Sequence, residues 1–183
     1  MREVLASPAY GTQELDHGPW TLRLVQDCAL ASVSSRAERT GELKQALMQQ
    51  GFEMPFVESF TGNADQGAFW LGPHQVMLWK PYACDPDWAA ELDLGEGIYS
   101  TEQTDGWVRM DILGEGIAEL AQRLINLDPQ RLRPGFATRT VIHHIGCYWV
   151  VHDNAHSVLV PRSMAASAAH AIEQAMQTVL ALR

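Results

Sequence analysis

The sequence predicts an α+β protein made of two packed split βαβ units of ferredoxin-like order, each carrying an antiparallel sheet. Three observations lead there. From Ala29 onward the local patterns run β-α-β-β-α-β, and from Trp107 onward they run β-α-β-β-α. Phe69-Trp70-Leu71-Gly72-Pro73-His74-Gln75-Val76-Met77-Leu78-Trp79 holds two short apolar runs about a Gly-Pro turn, the signature of a hairpin. Two amphipathic helical stripes close the chain: Ile117, Leu120, Ala121, Leu124 and Ile125, then Ala165, Ala168, Ala169, Ile172, Met176, Val179 and Leu180.

Residues 1–19 carry Pro8, Gly11, Gly18 and Pro19 without sustained periodicity and are expected to be an arm, disordered alone or laid across a partner. The folded region is then 20–183, divisible into 20–104 and 105–183. Trp20 to Val25 alternates, and Ala29 to Ser34 suits a second strand. Glu38 to Gln50 reads as a helix with Leu43, Ala46, Leu47 and Gln50 on one face and Gly51 as its stop. Phe52 to Gln66 has loop composition. In the hairpin, Pro73 presets φ at the second turn position. Val76 and Leu78 share one face of the return strand, and Gln75, Met77 and Trp79 share the other. Both faces are apolar enough to need cover, from this chain's helices or from a neighbouring subunit.

Asp85-Pro86 places a cap beside a proline at the start of a short helix through Trp88, Ala89 and Leu92. Ile98 to Thr104 reads as a strand, and Asp105-Gly106 as a hairpin turn. Val108, Met110 and Ile112 then face one way, and Trp107, Arg109, Asp111 and Leu113 the other. Ala137 to His152 is β-rich, with a bend expected at Gly146. Asp153-Asn154-Ala155-His156 turns the chain, Ser157 to Val160 returns, and Ser163 is placed to cap the last helix. Leu94-Gly95-Glu96-Gly97-Ile98 matches Leu113-Gly114-Glu115-Gly116-Ile117, but the two fall at different points of the two units, so the match is taken as chance.

Composition narrows the function. With 183 residues, 46% apolar, 19% charged and a net charge of −9, the chain has the make-up of a soluble domain and disfavours nucleic acid or an anionic membrane as partner. No apolar run nears the length of a membrane span, and the start lacks a hydrophobic signal core, which leads to a cytoplasmic expectation. Cys28, Cys84 and Cys147 are widely spaced and suggest neither a disulfide framework nor a zinc ribbon.

Chemistry-bearing residues are sparse. Gly114-Glu115-Gly116 opens a helix but lacks a phosphate-binding fingerprint, and Glu115 would repel an anion. His143 and His144, read as strand neighbours, point to opposite faces, while His152 and His156 bracket a turn and could approach each other. Without helical ligand spacing, imidazoles lining a sheet face or an interface are the expectation, and no metal is assigned. Cys147 lies in an apolar run and is expected to be inert. Arg162, at a strand-to-helix corner, is fit to clamp a carboxylate of this chain, of a partner subunit or of a ligand. Arg109 and Asp111, two apart on one strand face, are expected to pair. No catalytic or cofactor-binding residue is assigned.

Trp70-Leu71-Gly72-Pro73 before an apolar strand, Asp105-Gly106-Trp107-Val108-Arg109 before a glycine and a helix, and Val160-Pro161-Arg162-Ser163 before the last helix resemble, in order and approximate spacing, the γ subunit of heterotetrameric sarcosine oxidase. The resemblance spans roughly residues 20–180. It implies a fold like the folate-binding domain of aminomethyltransferases and an accessory role in a complex that demethylates sarcosine oxidatively to glycine. It further implies α, β and δ partner subunits, with FAD, FMN, NAD and tetrahydrofolate belonging to the complex and no cofactor to this chain. Trp70, Gly72, Pro73, Arg162 and Ser163 match positions that maintain the fold or its packing. The rival is a free-standing folate-dependent aminomethyltransferase-like enzyme, for whose catalytic acid Glu14, Asp16 and Asp111 qualify by residue type alone. An N-methyl amino-acid dehydrogenase subunit would differ in substrate and leave the role of this chain unchanged. The isolated chain is also expected to self-associate if apolar surface is left open.

Overall fold

A computed structural model describes residues 14–82, 88–153 and 155–182. Residues 1–13, Cys84 and the Asp85-Pro86 cap lie outside that range. The strands are β1 (Glu14–His17), β2 (Trp20–Val25), β3 (Cys28–Ser35), β4 (Phe60–Gly62), β5 (Gly67–Gly72), β6 (Gln75–Pro81), β7 (Ile98–Glu102), β8 (Trp107–Gly114), β9 (Ala137–Ile142), β10 (Ile145–His152) and β11 (Ala155–Pro161). The helices are α1 (Thr40–Gln49), α2 (Trp88–Glu91), α3 (Ile117–Leu124) and α4 (Ala165–Ala181).

The strands sort into two antiparallel sheets. The first has the order β4-β5-β6-β3-β7, the second β1-β2-β8-β11-β10-β9. In the first, β3-α1-β5-β6-α2-β7 is the expected split βαβ unit, with the hairpin beside the opening strand and the closing strand on its far side. The second repeats that layout around β8, α3, β10, β11 and α4. Its fourth position, however, is filled by β2 from earlier in the chain.

Period-2 alternation assigns each face. On β6, Val76 and Leu78 join Leu43, Leu47 and Trp88 under α1 and α2, while Met77 and Trp79 turn to the other sheet. On β8, Val108, Met110 and Ile112 pack with Leu120, Ile172 and Met176 under α3 and α4. A third core fills the seam between the sheets with Leu30, Phe60, Phe69, Trp79, Val150 and Leu159. The layers therefore run helix, sheet, sheet, helix. The apolar faces that needed cover are covered by this chain.

Several local expectations change. Glu14–His17 is an edge strand on β2 and not part of a free arm. Because β2 joins the second sheet, the strands do not divide at residue 104. Asp105-Gly106 is a closed turn, with the Gly106 N–H on the Gln103 carbonyl, but it carries the chain from one sheet to the other and makes no hairpin. The loop-like Phe52–Gln66 stretch contains β4. His143 and His144 are the two-residue turn between β9 and β10, with φ of 43° and 72°. They are not strand neighbours, and β10 runs on through Gly146. Ser163 is exposed in a short 3-10 turn and makes no capping hydrogen bond; α4 begins at Ala165.

Three sets of contacts fix the sheets and the β8–α3 connection in place. Gly114 has φ of 121°, and a Cβ there would lie 2.0 Å from the Pro19 carbonyl oxygen, so only glycine lets β2 close on β8. The Trp20 indole donates to the Glu115 carbonyl at 2.8 Å. Across the seam, the Glu58 carbonyl accepts from the Ala137 N–H and the Gly135 carbonyl from the Phe60 N–H. The Glu58 carboxylate accepts from Thr138 Oγ1 and Arg131, bonds that hold its pKa below the usual range.

Candidate functional site

The polar residues at the seam gather around Arg109. The β8–β11 register sets Ser157 opposite Asp111. The Arg109 guanidinium grips Asp111 with two bonds, at 2.9 and 3.0 Å. It also reaches the Ala64 carbonyl at 2.7 Å and lies 4.3 Å over the Trp79 ring of the first sheet. Arg23 on β2 donates to the same carboxylate at 3.2 Å. Asp111 is wholly buried and Arg109 is 3% exposed. The expected pair is thus present, and it forms the core of a clasp between the sheets.

Ser157 Oγ lies 2.6 Å from Asp111 and 2.8 Å from His152 Nε2, a trio that resembles a hydrolase triad in composition alone. The hydroxyl proton goes to Asp111, so Ser157 accepts from His152 Nε2–H and from Arg109 Nε at 3.1 Å. The imidazole is therefore a donor to the serine, and among the described residues no carboxylate is hydrogen-bonded to its Nδ1, the reverse of nucleophile activation. Ser157 is also fully buried. The geometry serves to satisfy a buried ion pair.

His152 and His156 do not converge. They sit in the β10–β11 hairpin with their rings on opposite faces, His152 against Phe60 and Trp79, His156 edge-on to Trp149. Both are held neutral. Burial pushes the His152 pKa down against the pull of Asp111, and burial, then His152, takes His156 to about 4. Burial pushes the Cys147 thiol up to about 12 and the Cys28 thiol to about 11, which makes both poor nucleophiles. Among the described residues no group of three or more His, Cys, Asp or Glu is placed to hold a metal.

Both histidines border a cleft of ≈ 460 Å³ between the β8–α3 connection and the β10–β11 turn, walled by Ile117, Leu132 and Val151. His152 also borders a smaller hollow of ≈ 240 Å³ with Arg23, Asn63 and Asp65.

The other residues singled out in the sequence lie apart from this region. Trp70 is half-buried on β5, its N–H on the Ser59 carbonyl. Gly72 ends β5 and Pro73 leads the turn, whose second residue, His74, takes φ of 59° and bonds Thr40 at 2.6 Å. Arg162 clamps its own chain. It donates to the Asp105 carbonyl at 2.8 Å and the Thr104 carbonyl at 3.2 Å, and so braces the crossing between sheets. The acids named for the rival enzyme are separate: Glu14 and Asp16 are exposed on β1, and both Asp111 oxygens are occupied. Sequence reasoning missed Ser157, Arg23 and the involvement of His152. Strand parity puts Ser157 on the face of Leu159, but only the β11–β8 register joins it to Asp111.

No protein-family profile matches this chain, and no curated protein matches it in sequence. Solved structures do match its fold. A chain of heterotetrameric sarcosine oxidase from Corynebacterium sp. U-96, solved with pyrrole 2-carboxylate, superposes with a TM-score of 0.78 at 19% identity, covering 96% of each chain. Glycine cleavage system aminomethyltransferase T from Bartonella henselae superposes with a TM-score of 0.61 at 14% identity. That match covers 82% of this chain and 44% of the other, so this chain spans less than half of that enzyme. The α+β fold with two antiparallel sheets is shared with both. No helix among the described residues is long and apolar enough to cross a membrane.

Proposed function

We propose that this chain is an accessory, γ-type subunit of a cytoplasmic, heterotetrameric sarcosine-oxidase-like complex, packed against a large flavoprotein subunit. The observation that carries the reading is the end-to-end match, 96% of both chains, to one chain of a heterotetrameric enzyme. Trp70, Gly72, Pro73, Arg162 and Ser163 then act in the fold and packing of the subunit. FAD, FMN and NAD then belong to the α and β partners, tetrahydrofolate to the complex, and δ completes the assembly. Phe56 and Val57, 81% and 70% exposed on the loop before β4, supply an apolar contact for the larger subunit. The test is co-expression of the tagged chain with the flavoprotein subunits, followed by affinity capture. Recovery of flavin absorbance with the tag is the expected result; recovery of the chain alone contradicts the reading.

The fold match to an aminomethyltransferase favours one alternative, a folate-binding enzyme acting alone. Calorimetry of the isolated chain with tetrahydrofolate separates the two. The subunit reading expects no heat of binding, and the alternative expects saturable binding at about micromolar concentration.

A further inference from the structure

The second sheet ends in an edge that is only half used. The Ala137 N–H donates to the Glu58 carbonyl, and Ser59 bridges Phe136 antiparallel, so the start of β9 already carries a short extended neighbour. At Glu58 the backbone takes φ of 52°, and the Ser59 N–H closes a turn on the Phe56 carbonyl. That turn takes Phe56 and Val57 off the edge. Backbone parity gives what is left open. Ala137 donates away from β10, and Arg139 and Val141 have the same parity in the β9–β10 register. Their N–H and C=O groups therefore point outward, where no described strand meets them. Their side chains continue the face of Ala137 beyond the cover of the first sheet. Val141 is 53% exposed, and Gly146 opposite it supplies no side chain. Arg139 is exposed too, its guanidinium 3.8 Å from where a Gly146 Cβ would lie. Among the described residues no carboxylate pairs with it. Other edges differ: β4 is three residues long, and β1 presents the carboxylates of Glu14 and Asp16.

Open backbone groups accept a strand, and the side chains beside them choose its chemistry. A second β9 would set two Arg139 charges on one face of the joined sheet, which disfavours self-pairing. We propose that the flavoprotein subunit lays an extended segment along Arg139 and Val141, with a carboxylate side chain opposite Arg139 and an apolar one opposite Val141. Those two residues stand two apart in the incoming strand. Phe56 and Val57, beside the start of β9, border the same contact. The inference rests on the subunit reading and gives the form of the contact.

Amide hydrogen exchange of the full chain is followed alone and in complex with the flavoprotein subunits. Alone, the Thr138 and Thr140 amides are expected to be protected by β10, and those of Arg139 and Val141 to exchange freely. In the complex the latter two should slow by at least about a hundredfold. Val141→Pro removes one outward donor and leaves the β9–β10 ladder intact, which an unchanged denaturant midpoint verifies. Capture of the flavoprotein should then weaken about three- to tenfold. Arg139→Glu, on an exposed side chain, should weaken capture about tenfold, and Arg139→Lys by no more than about threefold. The proposal fails if both amides exchange as fast in the complex as alone, if Val141→Pro with an unchanged midpoint leaves capture intact, or if Arg139→Glu binds like wild type. It also fails if both amides are protected in the chain alone, since this chain or a second copy then fills the edge. If these variants bind normally while Phe56→Asp weakens capture, the subunit reading stands without the added strand. If the wild-type chain captures no flavin, both fall.

Discussion

The two halves of the molecule have the same layout and different wiring. In the first sheet the closing strand, β7, follows α2 in sequence; in the second the equivalent place is taken by β2, which precedes β8 and all that follows it and carries only the edge strand β1 before it. The second unit is therefore a circular permutation of the first. Strand order in the chain is secondary to which apolar faces must be covered. The halves also differ in what they contribute to the seam: the first sheet brings Leu30, Phe69, Met77 and Trp79, whereas the second buries a charged clasp, Arg109, Asp111, Ser157 and His152. The polar half is thus the vulnerable one.

The largest expected effect lies in that clasp. Asp111→Ala strands Arg109 without its counter-ion between the sheets and should cost about 3–5 kcal/mol in equilibrium unfolding. Met77→Ala, on the apolar side of the same seam, should cost about 2–5 kcal/mol through the cavity alone, and only the Asp111 variant should be partly rescued by also replacing Arg109. If Asp111→Ala costs less than about 1 kcal/mol, the clasp does not join the sheets.

Acid should act on the second half first. The pKa values of His156 and His152 are depressed in the folded state, so unfolding takes up protons between the folded and unfolded values. Their contribution is complete above about pH 6.5 and is lost as pH falls, for His156 down to about 4. That shift corresponds to roughly 3 kcal/mol for His156, read as the pH dependence of unfolding in wild type against His156→Gln. A flat profile between pH 7 and 5 would contradict it.

The corresponding turns offer a finer test. Between β4 and β5, Asn63 closes the turn by accepting from the Asp65 and Gln66 N–H groups at 2.9 and 3.0 Å. Between β9 and β10, His143 and His144 hold positive φ with exposed side chains. The double change His143→Asn, His144→Gly suits such a turn and should stabilise by about 1 kcal/mol, measured by denaturant midpoint. The smallest effect belongs to Phe56→Asp, expected within about 0.5 kcal/mol for the isolated chain while it weakens capture of the flavoprotein.

What was legible in the sequence was local. Strand faces such as Val76 and Leu78 against Met77 and Trp79, and the stripes of α3 and α4, come from periodicity. The partnering of strands does not. Asp105-Gly106 has hairpin chemistry but crosses between sheets, because β7 finds its partner in β3 and β8 its partners in β2 and β11. His143-His144 reads as part of a strand because no Gly, Pro, Asn or Asp marks the turn, although histidine is among the few non-glycine residues enriched at positive φ. The Arg109–Asp111 pair was readable at two residues' spacing, whereas Ser157 and Arg23 reach it only through pairings 46 and 88 residues long.

The most direct test of the subunit assignment is sedimentation of the purified chain mixed with the purified flavoprotein subunits, followed at the flavin absorbance. The account predicts that this chain moves with the flavin at one copy per assembly and that Phe56→Asp shifts it back toward the free species. A chain that sediments alone at 20.3 kDa while the flavoprotein without it oxidises sarcosine at full rate would contradict the account.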